Sequence, residues 1–175
     1  MAAGAPFGLQ PGHTSTIRRI EGGMLSYRAD MDIHTNPYEL GMDRLVDLDI
    51  EADFIGKAAL RRIRDQGVSR KQVGVVIDGP ALAGPNAKFW SLEKEGERAG
   101  KVTSAVYSPR LEQNIGLAMV GVDYSVPGTC FDVETPYGRT TATVVEKPFY
   151  DPKKKIAVTL SQQTKHATNG LFPQD

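Results

Sequence analysis

From Lys71 onward the apolar positions come in short runs that turn signals separate. Val73-Gly-Val-Val-Ile77 is a compact β-branched run ended by Asp78-Gly79-Pro80. Lys88–Leu92, Ala99–Tyr107, Gly116–Val122, Cys130–Glu134 and Thr140–Val145 follow, with Glu95-Gly96, Pro127-Gly128 and Tyr137-Gly138 as turns between them. Strands at such spacing predict a small closed sheet, because closure removes exposed edges. Ser108-Pro109 interrupts the series; serine as N-cap and proline at the first helical position predict one helical turn over Arg110–Asn114.

Before Lys71 the period changes. Ile17, Ile20 and Met24 stand at i, i+3 and i+7, one face of a short helix. Thr14 or Ser15 is its N-cap, Gly22-Gly23 should end it, and Arg18 and Glu21 can pair on its surface. Asn36-Pro37 then breaks any helix. Ala58–Gln66 predicts a connector helix with an apolar face at Ala59, Leu60 and Ile63, closed by Gly67. The fold class is therefore mainly β: a small closed antiparallel β-barrel, preceded by a short α/β segment and a connector helix. Expected boundaries are 1–50, 51–160 and a disordered polar tail over 161–175, with Ile156–Leu160 a last apolar run.

Composition narrows the function classes. Lys+Arg and Asp+Glu are equal at 21 each, so no global field draws the chain to nucleic acid or to an anionic membrane. No apolar stretch reaches the roughly twenty residues of a membrane span, and no secretory signal opens the chain. The single Cys130 leaves no partner for an internal disulfide and fits a reducing, cytoplasmic setting; with only three scattered histidines, no metal site is expected.

Seven blocks, in order, carry a resemblance. They are Arg19-Ile-Glu-Gly-Gly-Met-Leu-Ser-Tyr27, Asp30-Met-Asp32, Asn36-Pro37, Phe54-Ile-Gly-Lys-Ala-Ala-Leu60, Gly100-Lys-Val-Thr-Ser104, Ser108-Pro109 with Asn114-Ile115, and Lys147-Pro-Phe149. Together they resemble the glycine cleavage T-protein (aminomethyltransferase) superfamily. The resemblance implies that residues 14–45 end a folate-binding region and that residues 54–152 form a C-terminal β-barrel domain. It implies tetrahydrofolate as cofactor, a small-molecule methyl or aminomethyl donor, and N-terminal domains that hold most of the site. On that reading Ala2–Gly12 is a mid-domain loop of a longer chain, and the chain alone is catalytically silent, with no catalytic residue of its own.

Departures within the superfamily choose a branch. Aminomethyltransferases carry an arginine where this chain has Ser15. The double glycine and the Ser26-Tyr27 pair look more like tetrahydrofolate-dependent dimethylsulfoniopropionate demethylase. Phe54-Ile-Gly-Lys57 lacks the cysteine of the iron–sulfur-maturation branch. The alternatives are the C-terminal part of a glycine-cleavage aminomethyltransferase, with a lipoyl carrier protein as partner, and a free-standing barrel that acts as a binding module.

Three residues are candidate cofactor contacts. Met24 offers a soft thioether to a pterin or aminobenzoate ring, or else is helix core. Arg19 either holds the loop that faces folate or pairs with a surface carboxylate. Lys154, within Lys153–Lys155, supplies a cation for the glutamate carboxylates of folate or is simply solvated. Asp30 and Asp32 read as loop structure, Tyr27 and Glu39 as buried polar anchors, and Cys130 as an inert barrel residue. Of Phe89 and Trp90, neighbours on a strand, one should be core and the other exposed.

Overall fold

In the computed structural model, which describes residues 2–8, 15–153 and 155, six antiparallel strands close into a barrel. They are β1 (Arg70–Ile77), β2 (Trp90–Lys94), β3 (Glu97–Ser108), β4 (Gln113–Gly121), β5 (Cys130–Thr135) and β6 (Gly138–Val145). The order around the barrel is β1-β4-β3-β2-β5-β6, with β6 pairing back onto β1 from Gly74↔Val145 to Ile77↔Ala142. No strand edge is left open, which is the expected reason for closure.

The interior is apolar. Val73, Val75, Ile77, Trp90, Leu92, Val102, Ala118, Val120, Phe131, Val133 and Val144 are buried together. Trp90 joins this core while its neighbour Phe89 faces outward, as alternation requires. A second, smaller cluster lies outside the barrel wall: Ile20, Val106, Ile115 and Leu117. It is covered by α1 (Thr16–Glu21), capped by Ser15, whose side chain accepts from Arg18 N at 3.5 Å. Sequence periodicity carried this helix face on to Met24, but the chain leaves the helix at Gly22, and Met24 stands 57% exposed.

The connector helix α2 (Lys57–Gln66) forms as predicted and ends at Gly67. Its apolar face at Ala59, Leu60 and Ile63 is only half-buried, and Ile55 just before it is fully exposed. Lys57 Nζ donates to Ile50 O and to Ala52 O at 3.0 Å, and Arg61 Nη2 to Leu48 O at 2.9 Å, so two cations gather the acidic 47–53 loop.

Three local expectations need correction. Arg110–Asn114 is no helical turn: residues 109–112 are the tight turn between β3 and β4, with Glu112 at φ 54°. Glu21 does not pair with Arg18; it is buried and accepts from Ser108 Oγ at 2.6 Å. Tyr27 is 57% exposed rather than a buried anchor, because its turn projects from the barrel wall. Cys130 is a barrel residue, the first of β5, and is exposed. Thr14, Lys154, the run 156–160 and the 161–175 segment lie outside the described residues.

Candidate functional site

The outer wall of the barrel beside α1 holds the chain's densest polar cluster. Its source is a β-bulge. The β3/β4 register shifts between Val102 and Ser104, so Thr103 and Ser104 both reach the segment that lies across the wall. Both hydroxyls meet one carboxylate: Thr103 Oγ1 donates to Asp30 Oδ1 at 2.6 Å and Ser104 Oγ to the same oxygen at 2.7 Å. The other oxygen, Oδ2, accepts Arg19 Nη1 at 2.8 Å and Ser26 N at 2.9 Å. Arg19 Nη2 completes the ring by donating to Ser104 Oγ at 2.9 Å.

Asp30 is thus not ordinary loop structure. Its side chain is fully buried and every lone-pair direction is in use, the condition under which a buried carboxylate is tolerable. Asp32, two residues on, is exposed and accepts His34 N at 2.8 Å. Arg19 is spent on Asp30, Ser104 and the carbonyl of Met24 at 3.4 Å, so it acts by holding the Gly22–Asp30 turn against the barrel. Farther along the same segment Glu39 is buried and accepts Arg70 Nε at 2.9 Å and Asn36 N at 3.0 Å, as the anchor reading anticipated.

Sequence reasoning missed Lys147 as a site residue. Gly23, at φ +66°, brings its backbone over Lys147 and Pro148; a Cβ there would stand 3.5 Å from Lys147 Cβ. Burial pushes the pKa of the Lys147 amine down from 10.5 to about 8; nearby Asp30 works against the shift and Lys71 adds to it. Gln72 lies in the same region, 2% exposed, with Nε2 facing Thr103 Oγ1 at 3.4 Å and Oε1 left without a hydrogen-bond partner. The motif Lys147-Pro-Phe149 was visible in the sequence, but nothing local in it announces burial.

Comparison with known proteins fits this architecture. Residues 70–151 match the glycine cleavage T-protein C-terminal barrel domain. The barrel, residues 70–151, belongs to the glycine cleavage T-protein C-terminal barrel domain family. It is 40% identical over 146 residues to an aminomethyltransferase of Synechococcus sp. (strain CC9902), which covers 83% of this chain and 38% of that protein. It is 37% identical over 145 residues to the dimethylsulfoniopropionate demethylase DmdA of Ruegeria pomeroyi, covering 83% of this chain and 39% of that protein. The crystal structure of the glycine cleavage system aminomethyltransferase T from Bartonella henselae superposes with a TM-score of 0.70 at 24% identity, over 78% of this chain and 38% of that one, which shows the shared fold. The chain spans 38–39% of the length of these two curated relatives.

Of the three predicted contacts, two lie among the described residues. Arg19, in α1, donates to the carbonyl of Met24 on the turn that follows the helix. Lys154 lies outside the described residues; its neighbour Lys155 is exposed, with its backbone N–H on Asp151 Oδ1 at 2.8 Å. No helix among the described residues is long and apolar enough to cross a membrane.

Proposed function

We propose that this chain is the C-terminal part of a tetrahydrofolate-dependent methyltransferase of the demethylase type, and that it supplies one wall of a site completed by N-terminal domains. The observation that carries the reading is the Arg19–Asp30–Thr103–Ser104 clamp. It fixes the Gly22–Asp30 turn so that Met24 and Tyr27, each 57% exposed, are presented on a rigid frame. A wall of that kind has value only if something packs against it.

The residues present fit a folate. Its fused ring needs an apolar, polarizable face, which the exposed Met24 thioether offers. Its glutamate carboxylates need a cation, a role for Lys154. Arg19, already spent on Asp30, is a positioning residue and not a contact. When bound, tetrahydrofolate supplies the nucleophilic nitrogen that accepts the one-carbon unit. This chain's part is to orient it, since proximity dominates when the donor is already activated.

Ser15 favours the demethylase branch. It serves as the helix cap where aminomethyltransferases are expected to place an arginine. The identity to aminomethyltransferases favours the second reading, the C-terminal part of a glycine-cleavage enzyme with a lipoyl carrier as partner. The two separate on the donor used by a full-length protein containing this chain. Methyl transfer from dimethylsulfoniopropionate to tetrahydrofolate is the expected result. Turnover with an aminomethylated lipoyl carrier alone would reverse the choice. Residues 1–50 then belong to the folate region and 51–160 to the barrel, in a cytoplasmic enzyme.

A further inference from the structure

The outer face of β1, β3 and β4 carries a groove that starts beside the clamp at Asp30 and Thr103 and runs on past it. Two depressions, of about 250 and 330 Å³, share Arg70, Lys101 and Met119 and so run together. Asp30 and Asp32 line the smaller, whereas the larger is lined by three cations, Arg70, Arg98 and Lys101, and by no carboxylate. In a chain whose formal charges balance, this is a local excess. Its floor is bare backbone at Gly100, where a Cβ would stand 2.4 Å from the carbonyl oxygen of Met119, so no side chain can fill it.

Arg70 is prepared for recognition. Glu39 takes its Nε at 2.9 Å and its Nη2 at 3.4 Å, and the carbonyl of His34 takes Nη2 at 2.9 Å. Glu39 is itself held by Asn36 N, so the guanidinium is fixed in place before any ligand arrives. Its Nη1 has no hydrogen-bond partner among the described residues. Lys101 Nζ rests 4.3 Å above the ring of Phe89 and forms no ion pair among the described residues; the same is true of Arg98. A fixed guanidinium flanked by two unpaired cations matches several anionic groups better than one, and guanidinium geometry suits carboxylate and phosphate oxygens alike. Met119 and Phe89 add an apolar border for the ligand's body.

We propose that the larger depression binds a small, multiply charged anion, with Arg70 as the fixed anchor and Lys101 and Arg98 engaging further carboxylate or phosphate groups along it. The site is independent of the one-carbon reading. The test is titration of the 175-residue chain with tricarballylate and, separately, with tripolyphosphate, at constant ionic strength, followed by amide chemical shifts. Saturable shifts confined to the backbone of 70, 98–101 and 119–121 are expected with at least one probe, and which one binds more tightly identifies the anion class. The exposed-site double variant R98Q/K101Q, with its fold checked by circular dichroism, should weaken that binding by about tenfold or more. Absence of saturation with both probes, or binding that the double variant leaves unchanged, would overturn the proposal.

Discussion

The inside and the outside of the barrel wall are built on opposite principles. Inside, Val75, Leu92, Val102, Val133 and Val144 pack with no polar side chain among them, and closure satisfies the backbone. Outside, beside α1, the chain is held by buried polar groups: Asp30 with four donors, Glu21 on Ser108, Glu39 on Arg70. A hydrophobic core stabilises but tolerates exchange among apolar residues. A buried carboxylate with matched donors fixes one geometry and punishes removal of either side. On the proposed reading, the wall that presents the site is the one built from polar contacts.

Single substitutions probe that contrast. The largest loss is expected inside: Leu92, fully buried, should cost about 4 kcal/mol as Leu92→Ala in urea unfolding, through lost transfer energy and a cavity. Outside, Asp30→Ala should cost about 3 kcal/mol, because Arg19, Thr103 and Ser104 lose a shared partner while still buried or half-buried. If Asp30→Ala instead cost no more than an exposed loop residue does, the polar account of the outer wall would be wrong.

Lys147 tests the same wall by pH. Its amine holds its proton less tightly in the folded chain, at about 8, than in the unfolded chain, at 10.5. Between those values the unfolded state binds more protons, so stability rises with pH across that window. Below it the charged, buried amine is a standing penalty. Lys147→Met should therefore be more stable than the parent by up to about 3 kcal/mol at pH 7, with the gain shrinking as pH climbs from 8 to 10.5. A gain that stays flat with pH would mean packing, not charge, is responsible. The smallest effect belongs to α2: Leu60→Ala on its half-exposed face should change stability by less than about 1 kcal/mol.

How legible each region was follows from the same contrast. The barrel strands were readable because alternation and turn residues are local: Val73–Ile77 and Cys130–Glu134 fall within β1 and β5. The clamp was not. Asp30 finds its hydroxyl partners 73 and 74 residues away and Glu21 finds Ser108 87 residues away, and a bulge decides which β3 side chains face them. No local period encodes such a pairing. Arg19 reads in sequence as the holder of a folate-facing loop or as the partner of a surface carboxylate; the carboxylate it meets, Asp30, is buried. Lys147 escapes because its burial comes from tertiary packing, in which Gly23 lies over its Cβ and over Pro148, and no local pattern encodes that.

The central claim is that this chain offers one wall of a folate site and does not complete it. Titration of tetrahydrofolate into the 175-residue chain, followed by calorimetry, tests it most directly. No saturable binding in the micromolar range is predicted. Tight one-to-one binding by the chain alone would contradict it.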